Sequence, residues 1–169
     1  MNTHNRLTTL ALFIAMAVAL HWLESFIPRP APFLRFGFAN IFTLCAIYLF
    51  GGPWGLVVVI CRVCIGSAFS GSIFTPVFFF SLAGGTCAGI MMWAMPKTLF
   101  SPIGVSVSGA AAHMTAQLVL AGIIIRQVSL IHVLPVFLIV SIVTGIINGY
   151  CVRAILAVAV RVNRLYSGL

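Results

Sequence analysis

An all-α membrane protein, with about six transmembrane helices in one bundle, is the fold class this sequence predicts. Three observations predict it. The 169 residues are 62% hydrophobic and only 6% charged, where soluble domains carry about 25% charged residues. Mean hydropathy is +1.21, too apolar to cover a water-facing surface. The apolar residues also fall into runs near the roughly 20 residues that a helix needs to cross hydrocarbon. A single integral membrane domain, 1–169, takes up the whole chain and leaves no room for a sizeable soluble one.

Proline, glycine and serine punctuation divides the chain into spans of about 7–27, 38–51, 53–69, 73–95, 102–125 and 132–159. "PRPAP" stops the first, "GGP" separates the second from the third, and "SGS" the third from the fourth. "MPK" and "SP" end the fourth and open the fifth, and "RQVS" closes the fifth. Spans two and three are short. Pro76 and Pro135 fall in first turns, where a missing amide donor does little damage. Arg6, a short apolar run and Ala17-Val18-Ala19 have the outline of a cleaved signal peptide. The following "LHWLESF" continues the apolar run, so the segment is read as a retained span.

Lys/Arg bias sets the orientation. With both termini cytoplasmic, Arg6, Lys97, Arg153, Arg161 and Arg164 lie inside, Arg29, Arg35 and Arg126 lie outside, and Arg62 falls within span three. This predicts a multi-pass protein of the cytoplasmic (inner) membrane. The net charge of +8 is spread along the chain with no basic cluster, so nucleic acid is not an expected partner and membrane lipid is. The five cysteines all sit in apolar runs and read as small hydrophobes. No metal or other cofactor is expected.

Ala11, Ala15 and Ala19 recur every four residues on span one, drifting about 40° per step at 3.6 residues per turn. They form a smooth strip that admits close approach of another helix. Spacing alone leaves open whether that helix belongs to this chain or to a partner.

Polar groups inside spans are costly and are site hypotheses by default. Ser106, Gly109, His113 and Gln117 form one stripe on span five, and Ser141, Thr144, Gly145 and Asn148 a second on span six. Either they bond each other across helices or they line a shared cavity. Arg62, about eight residues into span three, must snorkel, pair or meet water or a ligand. Glu24 is the only acidic residue in the chain, and both Arg62 and His21 are candidate partners for it. The first outer loop, "PRPAPFLRFGFAN", is either a headgroup collar or a lid, with Arg29 and Arg35 attracting negative charge and Asn40 completing a pocket. Candidate ligand-binding residues are therefore Arg35, Asn40, Arg62, His113, Gln117 and Asn148. A basic, acid-poor lining predicts an anionic or electron-rich small molecule. Gly85 and Gly89 form a close-packing motif on span four.

About six spans with A-x-x-x-A on the first helix resemble the substrate-binding subunits (S-components) of energy-coupling-factor transporters. More narrowly, "GFANIFTLCAIYLFG" (37–51), "RVCIGSAFSGS" (62–72), "SLAGG" (81–85) and "GVSVSGAAAHMTAQLVLA" (104–121) are similar to the Gx transporter family, often labelled heptaprenyl diphosphate synthase component I. The resemblance implies that Ala11, Ala15 and Ala19 dock on a transmembrane coupling subunit driven by cytoplasmic ATPases. It also implies a small-molecule substrate held near the outer face. Where the family pattern is closer to A-H-N-x-G-Q, this chain has Ala112-His113-Met114-Thr115-Ala116-Gln117, keeping the His and Gln and losing the Asn and Gly. Allylic diphosphate chemistry requires Mg²⁺ held by carboxylates, and one glutamate cannot build that site. No GxxxxGK[ST] occurs. The chain by itself is not expected to be an enzyme, although an accessory role beside one stays open.

Overall fold

The computed structural model describes residues 3–27 and 35–167. Six α-helices run in chain order: α1 (Thr3–Glu24), α2 (Asn40–Phe50), α3 (Gly52–Phe69), α4 (Pro76–Ala94), α5 (Pro102–Ile125) and α6 (Leu134–Ser167), with a 3-10 turn, Val128–Val133, before α6. Five helical stretches are long and apolar enough to cross a membrane. The sixth, α2, has 11 residues, about 16 Å at 1.5 Å per residue, or about half of a hydrocarbon core.

That short helix is the centre of the molecule. It touches α1, α3, α4, α5 and α6, while the outer helices meet in the order α1, α3, α4, α5, α6. Every residue from Asn40 to Ile47 is buried, as expected of a helix that is apolar all round and enclosed by others. The main core gathers about it, with Phe13 of α1, Leu44 and Ile47 of α2, Val58 of α3, Met92 of α4 and Val105 of α5. In lipid the gain comes from close packing, since hydrocarbon outside is as apolar as the core. Gly109 is one such closure, because a Cβ there would lie 2.4 Å from Met92 Cγ.

The element ends follow local chemistry. Arg6 on α1 donates to the Phe50 carbonyl at 3.3 Å and lies over the Trp54 ring at 5.0 Å. It satisfies a carbonyl at the C-terminus of α2, where cations are favoured. This contact places the start of α1 and the α2–α3 corner at one end of the bundle. Ser101 caps α5 by accepting from the Gly104 amide, with Pro102 opening the helix. The fourth helix starts at Pro76 and not at the expected 73. Thr75 is held extended ahead of the proline, which disfavours helical backbone before it. The sixth helix continues past 159 to Ser167. At 34 residues it is about 50 Å long, so its last turns leave a core of about 30 Å.

Candidate functional site

Because α2 reaches only about half of the hydrocarbon core, the chain before it enters the bundle as non-helical backbone. Such backbone is tolerated at membrane depth only where protein satisfies its polar groups. The segment from Arg35 to Ala39 is of this kind, with Arg35, Gly37 and Ala39 buried. Its main-chain groups are met by side chains from three helices. The Arg35 amide donates to Gln117 Oε1 of α5 at 2.8 Å. The Gly37 amide donates to Glu24 Oε1 of α1 at 2.7 Å. The Gly37 carbonyl accepts from Asn148 Nδ2 of α6 at 3.2 Å and from the Asn40 amide at 3.0 Å.

A second set of contacts ties the side chains together. Arg62 Nη2 of α3 donates to Asn40 Oδ1 at 2.6 Å. Gln117 Nε2 meets His113 Nε2 one turn away at 2.6 Å. Arg35 Nη1 meets His21 Nε2 of α1. Glycines admit this density of polar groups. A Cβ at Gly84 would lie 2.9 Å from His113 Cε1 and from Gln117 Cγ, and one at Gly85 would lie 3.1 Å from Arg62 Nη2. Two adjacent glycines thus bring α4 onto α5 with one face and onto α3 with the other. Gly66 of α3 does the same for His21, whose Cδ2 would lie 2.6 Å from a Cβ there.

All six candidate ligand-binding residues, Arg35, Asn40, Arg62, His113, Gln117 and Asn148, are therefore buried together. Arg35 is not in an exposed outer loop, as its place in the sequence suggested. Only 3% of it is exposed, because the turn that precedes α2 carries it into the bundle. Arg29 lies outside the described residues. Ser141 and Thr144 of the span-six stripe donate to carbonyls of their own helix, Leu138 and Val140, and Asn148 alone of that stripe's polar side chains bonds the α2 approach. Sequence reasoning gave no role to Gly37, although an unusually short second span was the available signal that non-helical chain must precede it. Gly84 was likewise missed as a packing position.

The alanine strip has a different fate. Ala11, Ala15 and Ala19 are exposed on the outside of the bundle, so no described helix of this chain covers them. With Trp22 of α1 and Cys61, Ile65 and Phe69 of α3 they line a groove of about 740 Å³.

Five long apolar helices folded about a short central one, with a polar cluster enclosed at the broken approach to it, define a multi-span helical membrane protein. A family model described as heptaprenyl diphosphate synthase component I matches residues 13–155, and the chain belongs to that family, to which its Gx transporter-like motifs also point. Neither a curated protein nor a solved structure gives a significant match.

Proposed function

We propose that this chain is the substrate-binding membrane subunit of an energy-coupling-factor-like importer in the cytoplasmic membrane. Its cargo is a small, anionic vitamin or cofactor, or an isoprenoid- or quinone-related molecule. The ligand is held by Arg35, Asn40, Arg62, His113, Gln117 and Asn148. Release inward is driven through Ala11, Ala15 and Ala19 by a transmembrane coupling subunit with cytoplasmic ATPases. The chain performs no catalysis itself.

The observation that carries this reading is the outward-facing alanine strip. A stripe of small residues is useful where two helices must come close, and here the strip faces away from its own bundle. Ala15→Trp fills the middle of that groove without touching the buried polar cluster. In cells, the expected result is loss of the ATPase module from pulldowns while the folded protein is still recovered in the membrane. Undiminished recovery of the module with Ala15→Trp refutes the docking role.

A second reading, an accessory non-catalytic subunit of a prenyl diphosphate or quinone assembly, is favoured by the family description. The mutual hydrogen bonding of the polar cluster fits it as well. Under that reading the pulldown recovers prenyl-transfer or redox proteins and no ATPase.

A further inference from the structure

The hydrogen bonds around Gly37 determine the protonation of the cluster. A guanidinium only donates, so Asn40 presents Oδ1 to Arg62. A backbone amide also only donates, so Gln117 presents Oε1 to Arg35 and is left with its NH₂ group facing His113 Nε2. That ring nitrogen must accept, which puts the His113 proton on Nδ1. By the same rule His21 accepts from Arg35 and carries its proton on Nδ1. Both histidines are neutral.

The charges then do not cancel. Among the described residues the buried ionic side chains are Arg35, Arg62 and Glu24, which is two positive against one negative. The chain has no other aspartate or glutamate to offer, and an uncompensated buried charge is strongly disfavoured. Of the polar atoms on residues at least nine-tenths buried that have no hydrogen-bond partner, Thr43 Oγ1 and Ser67 Oγ among them, three surround Gly37: Arg62 Nε, His113 Nδ1 (whose ring also approaches the Gly84 and Arg35 main chains) and Asn148 Oδ1. Two are donors and the third is an acceptor, since Asn148 spends its NH₂ group on the Gly37 carbonyl. All three side chains adjoin the same turn. Arg62 bonds Asn40, Asn148 bonds Gly37, and the His113 ring lies 3.2 Å from where a Gly37 Cβ would stand.

We infer that the molecule this site takes bears a singly charged oxyanion, a carboxylate or a phosphodiester, with an O–H or N–H donor close to it. Arg62 Nε–H and His113 Nδ1–H donate to the oxyanion, Asn148 Oδ1 accepts from the neighbouring donor, and the Gly37–Asn40 turn shifts to admit it. A phosphomonoester is excluded as the preferred form, because it carries about −1.5 to −2 at neutral pH against an excess of one positive charge. This inference rests on the ligand-binding reading proposed above and specifies its chemistry.

The test is mass spectrometry of small molecules released from the gently solubilised full chain, compared with the Arg62→Gln variant purified alongside. The expected result is one species enriched with the wild type, singly negative, with an adjacent hydroxyl or amine, and reduced about tenfold or more in the variant, as befits loss of a charge-assisted bond. Its mass and fragmentation distinguish carboxylate from phosphodiester. Should Arg62→Gln fail to fold, Arg62→Lys retains the charge and lacks the Nε donor, and the same reduction is expected. A wild-type-specific species that is neutral, cationic or multiply anionic overturns this inference and leaves the ligand-binding reading standing. Equal recovery of a singly charged species from both proteins also overturns it. No species enriched over a mock preparation overturns the ligand-binding reading, and this inference with it.

Discussion

Replacing Gly37 by alanine tests whether the turn before α2 is the keystone of the polar cluster. Gly37 has φ of +78°, in the left-handed region where a Cβ costs about 1–2 kcal/mol. The added Cβ would also stand 2.8 Å from Asn40 Nδ2 and 3.2 Å from His113 Cδ2. Neither neighbour moves freely, because Asn40 is bonded to Arg62 and His113 to Gln117. Overpacking of this sort adds about 1–3 kcal/mol, giving a total near 2–5 kcal/mol. Gly71 supplies the internal comparison. Its φ is +63°, yet nothing lies within 4 Å of a Cβ placed there, so Gly71→Ala carries the backbone strain alone. The assay is reversible unfolding in mixed micelles by titration with dodecyl sulfate, followed by far-UV circular dichroism. If Gly37→Ala is no more destabilising than Gly71→Ala, the packing argument is wrong. If both cost under about 0.5 kcal/mol, less than the strain assigned to the left-handed region, the backbone argument is wrong as well.

Two other substitutions probe the same centre by the same titration. Glu24→Gln keeps an oxygen for the Gly37 amide and removes the chain's only carboxylate side chain, leaving two buried guanidiniums. The expected loss is about 3–5 kcal/mol, with at least half recovered in Glu24→Gln/Arg62→Met. Absence of that recovery would show that charge is not what the glutamate supplies. Gln117→Leu removes the acceptor of the Arg35 amide, and the expected cost is about 1–3 kcal/mol. A change within 0.5 kcal/mol, well below that range, would mean that the α2 approach does not depend on this bond.

The membrane bundle and most helix limits were legible without tertiary information, because hydrocarbon thickness and the rules for proline, glycine and serine act on short stretches of chain. Fifth-span residues 102–125 were delimited by "SP" and "RQVS", and the fifth helix runs from Pro102 to Ile125. The polar residues were equally legible as a set, since each stands out in an apolar run. Their partners were not. Arg62 and His21 are the partners the sequence offers Glu24, but its Oε1 also takes the main-chain amide of Gly37, and a backbone group carries no mark in the sequence.

Two further matters were decided by packing alone. Periodicity put Ala11, Ala15 and Ala19 on one face but could not say which way that face points. Its direction depends on α3 packing against α1 from the side, which leaves the strip exposed. Position in the chain suggested an outer loop for Arg35, yet a central helix of 11 residues draws the preceding turn down into the bundle. Local sequence determines what each segment is, because propensity and length are local energies. Which polar atoms meet is settled by the arrangement of six helices at once, since buried donors and acceptors can be satisfied only by groups that distant parts of the chain bring to them.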